Sequence, residues 1–361
     1  MKKNTQVIIA GGGPAGIATA LSLTQRGIEC AVVDDRTSVS IKAGETIPPN
    51  AKPVLVRSGI DHLLAAPEHL PCYGNRFLWG DENISDHDFF SNVHGNGWHV
   101  NRLFFEEQLQ QYAASQGVRR IKGQVVKCNR SADGWQLTFH DSNKNVRELS
   151  CSFVADATGR ACRIARLLGH KRNRLDSLTG LWSTFDLEEE VHPQYTFIQA
   201  VQDGWWYAAP LSGKKLALAF MTDADLLDLR MQQMPYFLKT AKECSLVEPL
   251  IQKIIDPPAA HPFVRTASTS FIAQRYTSSY LAVGDAAYAY DPLSSYGMVS
   301  ALEGGYYAGH AIADALSGNN DALTAYDVII SQAFNIYLQM RTKQYQSEKR
   351  WSDKAFWSRR K

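Results

Sequence analysis

Three glycines at Gly11, Gly13 and Gly16 follow the apolar run Val7-Ile8-Ile9-Ala10 and precede an Ala- and Leu-rich stretch from Ile17 to Gln25. No other feature restricts the fold so much. A short, wholly apolar run suits a strand buried on both faces. G-x-G-x-x-G between such a strand and a helix is the turn of a dinucleotide-binding βαβ unit. Gly11 permits the tight turn, Gly13 lets a pyrophosphate approach the backbone, and Gly16 lets helix and strand pack closely. The helix start at Pro14 and Ala15 offers unpaired N–H groups and a positive dipole end to phosphate. Gly27 ends the helix, and Cys30 to Val33 form the second strand. Asp34, with Asp35 beside it, is placed to accept hydrogen bonds from ribose hydroxyls.

A chain of 361 residues holds two or three domains, or one large α/β body with an inserted part. With 38 Lys and Arg against 36 Asp and Glu, the net charge of +2 does not favour a nucleic-acid partner. No apolar run approaches the ~20 residues that cross a bilayer, so no membrane role is expected. Lys2 and Lys3 before an apolar stretch imitate a secretion signal, yet the glycines and Pro14 would interrupt its helix. Six scattered cysteines without a C-x-x-C pair point to reduced thiols and no metal centre. A cytoplasmic protein is the expectation.

Further along, residues 41–53 read as irregular, with three prolines. Residues 101–116 read as a helix with an apolar stripe of Leu103, Phe104, Leu109 and Tyr112. A meander is expected from Gln124–Asn129 and Trp135–His140, joined by an Asp133-Gly134 turn, with another strand at Phe153–Ala155. Residues 181–222 alternate as strands, and 224–256 read as helical up to the breaker Pro257-Pro258. A strand at 280–283 then leads into a long helix from about 298 to 316. The tail from Arg341 to Lys361 carries eight basic residues with Trp351, Phe356 and Trp357. Either it docks an acidic partner, or it packs these aromatics on the body and leaves a basic face solvated.

A second motif lies near the far end: Tyr280-Leu-Ala-Val-Gly284-Asp285, then Asp291-Pro292-Leu293-Ser294-Ser295-Tyr296-Gly297-Met298. A strand ending in Gly-Asp places a carboxylate against a polyol hydroxyl. The helix opening at Gly297-Met298 can stabilise an anionic edge, such as that of a reduced flavin. With the first fingerprint, this argues for FAD.

These residues, with Arg102 after Val100 and the segment Asp156-Ala-Thr158-Gly159-Arg160, resemble the FAD-dependent monooxygenases typified by para-hydroxybenzoate hydroxylase, and the related flavin-dependent halogenases. The resemblance implies an α/β fold: a Rossmann-like FAD-binding domain of the GR2 type, interleaved with a mixed β-sheet substrate domain, plus C-terminal helices. The expected division is 1–75, 98–180 and 265–330 for FAD, 76–97 and 181–264 for substrate, and 331–361 as a helical tail. FAD would be held by Gly11, Gly13, Pro14, Ala15, Gly16, Asp34, Asp35, Glu45, Thr46, Arg102, Val126 and Asp285, with its ring near Pro292, Gly297 and Met298. Glu45 and Thr46 belong to Gly44-Glu45-Thr46-Ile47-Pro48-Pro49, similar to a halogenase segment lying along the flavin.

Halogenases of tryptophan carry Gly-Trp-x-Trp-x-Ile-Pro; this chain has Tyr207 at the second Trp and Ala209 at the Ile. Their active-site lysine aligns with Gly74, and their glutamate in the loop after Gly-Asp aligns with Ser294. Without that ammonium and carboxylate, halogenation is not expected. The chain looks instead like the flavoproteins that mature cysteine tryptophylquinone in amino-acid oxidases. That resemblance implies a tryptophan side chain in an unmodified quinoprotein oxidase precursor as substrate, with O2 and an external reductant, hydroxylated through a flavin C4a-hydroperoxide. Pro292, Ser294, Tyr207 and His99 are the catalytic candidates. His99 is either a proton carrier or a satisfied structural histidine. Trp205, Trp206 and Tyr207 alternate on one strand, so Trp205 and Tyr207 share a face; they either line a substrate pocket or build the sheet core. Two other readings remain: a reductase of the geranylgeranyl-reductase type, and a flavin-bearing binding protein without oxygenation chemistry.

Overall fold

The structure, a computed structural model, describes residues 4–35, 42, 44–132, 134–257, 260–319 and 321–361. Lys2, Lys3, Ile41, Asp133 and Pro258, to which expectations were attached, lie outside the described residues.

The first strand, Asn4–Ala10, and the strand Cys30–Asp34 flank the helix Pro14–Gln25, as the glycine pattern requires. They belong to a parallel array in the spatial order Arg119–Ser131, Cys30–Asp34, Asn4–Ala10, Val146–Asp156, Tyr280–Ala282. Every strand there is apolar where both faces are covered, and Val7, Ile8 and Ile9 are fully buried. The expected meander is longer than its apolar core: Arg119–Ser131, Gly134–Asp141 and Val146–Asp156 pair antiparallel, and the last strand then turns into the parallel array. Polar residues at the ends of these strands hid their true length.

The Pro14–Gln25 helix is buried from Ala15 through Leu23 because the long helix Gly297–Leu316 covers it. That approach depends on Gly305, where a Cβ would stand 2.4 Å from the Ala15 carbonyl oxygen. The two sequence-distant motifs are thereby locked side by side.

A second, seven-stranded sheet contains Phe263–Thr266, Leu178–Asp186, Lys215–Asp223, Gly204–Leu211, Tyr195–Val201, Gly74–Leu78 and Ile84–Asp88 in that order. One face is closed by Met234–Lys242 and neighbouring segments, with Trp206, Phe220 and Phe237 at the centre of the packing. The helical expectation for 224–256 holds only for Met234–Lys242 and Glu248–Ile251, since 224–226 is turn, 227–228 irregular and Leu229–Gln232 a 3-10 turn. Within 41–53 the chain is less irregular than expected: Thr46–Ile47 pairs with Trp98–His99, and Pro49–Ala51 forms a 3-10 turn.

The helix Arg102–Ser115 begins at Asn101, whose side chain accepts a hydrogen bond from the Phe104 backbone N–H at 3.2 Å. Its buried face carries Phe105, Glu106, Leu109 and Ala113, whereas Leu103 is 39% exposed and Phe104 half-buried. Of the predicted stripe Leu109 is buried and Tyr112 packs against the core, but its first turn is one residue out of phase, because the spacing of Phe104 and Phe105 fits either face and Arg102 lines the cavity.

The tail packs on the body after the helix Asp321–Ser347, burying Phe356 and Trp357. The basic face is only partly solvated: Lys343, Lys349, Arg359 and Lys361 are exposed, but Arg360 is buried against Asp223 at 2.5 Å, and Arg341 reaches Asp176 at 2.7 Å and Asp291 at 3.3 Å. Carboxylates of the body neutralise Arg341 and Arg360. No helix among the described residues is long and apolar enough to cross a membrane.

Candidate active site

A cavity of about 690 Å³ runs from the Gly11–Ala15 turn to the inner face of the seven-stranded sheet. At the first end Gly11 has φ +100°, and a Cβ on Gly16 would meet the Gly11 carbonyl oxygen at 1.9 Å. Gly16 therefore stands behind the turn and not in the cavity, while Gly11, Gly13, Pro14, Ala15, Asp34 and Asp35 line it. No side chain caps the Pro14–Gln25 helix at Gly13, which leaves its first N–H groups available to a phosphate.

Midway, Asp285 is held by Arg160 through an Nε–Oδ2 contact of 3.3 Å. Arg160 is itself fixed by donating to the carbonyls of Ser268 at 2.5 Å and Tyr290 at 2.7 Å. Asp156 of the same motif does not reach the cavity: buried, it accepts from the Thr158 hydroxyl and the Ala165 N–H, shaping the turn. Pro292, Gly297 and Met298 line the cavity, and the Gly297–Leu316 helix opens there without a side-chain cap.

Toward the sheet, Glu45 is buried, with Oε2 accepting the Gly44 N–H at 3.1 Å. Burial pushes its carboxyl up to about 7, against the pull of the Arg102 guanidinium. Arg102 donates to the Gly44 carbonyl at 2.8 Å and to Glu106 at 2.7 Å, and Lys42 pairs with the same Glu106. Tyr207 shares a hydrogen bond of 2.9 Å with Thr46, which lies 3.3 Å from Thr196. Burial first, then the Glu45 charge, raises the Tyr207 phenol above its ordinary value and keeps it neutral.

Several candidates stand elsewhere. His99 is fully buried behind Thr196, with Nε2 2.9 Å from the Thr196 hydroxyl, and burial pushes it down to about 3. It is not among the residues that line the cavity, and burial disfavours its charged form. Ser294 is exposed, and its hydroxyl donates to the Asp291 carbonyl at 2.8 Å; Ser295 lines the cavity in its place. Gly123, Gln124 and Val125 line it where Val126 was expected. Trp205 is buried with its Nε1 donating to the Tyr345 hydroxyl at 3.1 Å, and Trp206 packs on the opposite face. The predicted face parity is correct, but of the three only Tyr207 lines the cavity.

The cavity's aromatic wall was not foreseen. Phe263, Trp182, Ala219 and Tyr207 are register partners in a row across adjacent strands, and Trp182 stacks on Phe263 at 5.9 Å. Strand alternation assigns residues to faces but not the face to a cavity, so Trp182 and Phe263 looked like any core aromatics. Arg160 was legible only as the last residue of the Asp156–Arg160 motif, with no role attached, and Lys42 carries no local signal beyond its type. Among the described residues no group of three His, Cys, Asp or Glu side chains could hold a metal ion.

The donor set fits FAD. An uncapped helix start could take the pyrophosphate, Asp34 a ribose, Asp285 a polyol hydroxyl, and a second uncapped helix start the anionic edge of the ring.

Comparison with known proteins agrees. The FAD binding domain family matches residues 4–329. LodB of Marinomonas mediterranea, named as an FAD-dependent oxidoreductase, is 26% identical over 359 residues, covering 98% of this chain and 96% of LodB. The myxobacterial chondrochloren halogenase CndH superposes with a TM-score of 0.88 at 20% identity, covering 99% of this chain and 86% of that one. QhpG, a peptidyl tryptophan dihydroxylase essential for tryptophylquinone cofactor biogenesis, superposes with a TM-score of 0.79 at 22% identity, covering 99% and 79%. At these identities the superpositions speak for the fold.

Proposed function

This chain belongs to the FAD binding domain family, and from that premise we propose that it is an FAD-dependent monooxygenase hydroxylating a tryptophan side chain of a partner protein during tryptophylquinone biogenesis. One observation carries the reading: the dinucleotide cradle and the Trp182–Tyr207–Phe263 wall face the same cavity, so an aromatic ring on the wall meets the redox end of the cofactor. The name of LodB and the described activity of QhpG support it from two directions. When bound, FAD supplies the redox chemistry that activates O2 for transfer of one oxygen atom to an electron-rich ring.

The chain's own residues do the rest. The Gly11–Ala15 turn and the helix behind it hold the pyrophosphate, and Asp34 and Asp285 bind hydroxyls. Pro292, Gly297 and Met298 would lie along the ring, and Arg102, which lines the same cavity, would help hold the cofactor. The aromatic wall excludes water and stacks the substrate ring. The division of labour we propose assigns 1–75, 98–180 and 265–330 to cofactor, 76–97 and 181–264 to substrate, and 331–361 to the tail. Halogenation lacks its lysine. Gly74 is buried in its strand, and a Cβ there would stand 2.7 Å from the His87 carbonyl oxygen, leaving no room for a longer side chain.

The partner is the unmodified precursor of a quinoprotein oxidase, met in the cytoplasm, where the six buried, unpaired cysteines stay reduced. The test mixes the reduced holoprotein with O2 and either free tryptophan or a precursor-derived peptide. Faster oxygen use and an oxygenated product with the peptide support the reading. Product formed equally well without O2 favours a reductase, and partner binding without product favours a carrier.

A further inference from the structure

We propose that the Glu45 carboxylate is the base that takes the proton a substrate ring releases on hydroxylation. The inference rests on the monooxygenase reading and names a catalytic group within it.

Elimination among the carboxylates of the cavity leads to this residue. Asp34 and Asp35 sit at the dinucleotide turn. Asp285 is paired with Arg160, and Glu106 with Lys42 and Arg102. Asp291 accepts from Tyr345, Arg341 and the Leu293 N–H. Glu45 makes no ion pair among the described residues, lines the cavity, and lies beside Tyr207 on the aromatic wall.

Its position is rigid. The Glu45 carbonyl accepts the Val100 N–H at 2.7 Å, Arg102 clamps the preceding carbonyl, and the Gly44 N–H holds Oε2. A carboxyl fixed in this way can meet a ring proton with little reorganisation. The groups facing it are few: Arg102 and Glu106 from their helix, Lys42 through Glu106, Tyr207 from the sheet, and neutral His99 behind Thr196. Burial has already raised its affinity for a proton, which places it between free and protonated forms near neutral pH.

The chemistry balances. O2 brings two oxygen atoms; the reduced flavin brings two electrons and two protons, and solvent brings the one further proton that completes the new hydroxyl and the water. One oxygen bonds to a ring carbon and the other leaves as water. The C–H bond at that carbon breaks, its electron pair returns to the ring, and the proton goes to Glu45, which later returns it to solvent.

The test compares Glu45→Gln and Glu45→Asp with the wild-type holoenzyme. Infrared difference titration reads the residue without turnover: the wild type should show a carboxylic-acid band disappearing with a midpoint near pH 7, absent from E45Q. In single turnover with a tryptophan peptide, hydroxylated product per flavin re-oxidised should fall on the order of 100-fold in E45Q, and E45D should recover part of it. Wild-type product yield in E45Q, or no titrating band, would overturn the assignment alone. A wild type that makes no oxygenated peptide would overturn the monooxygenase reading and this inference with it. Should E45Q lose its flavin, the pH profile of E45D decides: a shifted midpoint supports the role and an unshifted one overturns it.

Discussion

Removing one hydroxyl, by Tyr345→Phe, probes how the C-terminal helix holds the flavin-side loop. Tyr345 is buried, donates to Asp291 Oδ2 at 2.8 Å, and accepts from Trp205 Nε1 at 3.1 Å. Loss of a hydrogen bond to a carboxylate costs about 1.5–3 kcal/mol, and the orphaned indole N–H adds about 1–3 kcal/mol. Arg341 still reaches the same Asp291 oxygen at 3.3 Å, and the phenyl ring keeps its packing on Trp79, Phe356 and Trp357. The lower part of the sum is therefore expected, about 3 kcal/mol. With an unfolding entropy of about 2.1 cal/mol/K per residue, a chain of this length should lose about 4 °C in Tm. Asp291 opens the Pro292–Ser294 turn and lines the cavity, so flavin should also leave faster. Thermal unfolding by near-UV circular dichroism, with flavin release followed by fluorescence, reads both. An unchanged Tm and unchanged release would refute the idea that the tail braces the cofactor loop.

The two arginines near the C-terminus should differ. Arg360→Ala strips a buried partner from Asp223 and should cost about 3 kcal/mol in urea unfolding, whereas half-exposed Arg359→Ala should cost under about 1 kcal/mol; equal losses would contradict this. Glu45 has a folded-state pKa raised to about 7 from an ordinary 4.5, so the folded protein binds the proton more tightly than the unfolded chain. Its contribution is fully present below about pH 4.5 and fades as pH rises to about 7, amounting to about 3 kcal/mol. In Glu45→Gln that part of the pH dependence of stability should vanish, and a wild-type slope in the variant would contradict the raised pKa. Asp285→Ala should lower flavin retained through gel filtration; full retention would remove Asp285 from the cofactor site.

The parts legible in the sequence are those where backbone demands a residue type. Gly11 and Gly16 must be glycine for reasons visible at their own positions, and Gly284-Asp285 follows a strand as plainly as the first turn does. The strand Gly204–Leu211 was also readable, together with the face each of its residues takes. Illegible was which face would meet a cavity, since that is decided by how two sheets come together. Trp205 went to the packing with Tyr345, while Trp182, within the expected stranded region 181–222, went to the wall. His99 illustrates the same limit, because residue type suggests proton transfer and only the fold shows its burial behind Thr196. The tail misled through charge: cations that look solvated in a linear count find Asp176, Asp223 and Asp291 from distant segments. The first turn of the helix Arg102–Ser115 slipped by one residue because adjacent phenylalanines offered two equivalent stripes.

The most direct measurement is incorporation of isotopically labelled oxygen. The reduced holoprotein, mixed with ¹⁸O2 and a tryptophan-containing segment of an unmodified quinoprotein precursor, should yield a peptide whose indole carries ¹⁸O. Label absent from the indole while the flavin is re-oxidised, or the same product formed under nitrogen, would contradict a monooxygenase acting on protein-borne tryptophan.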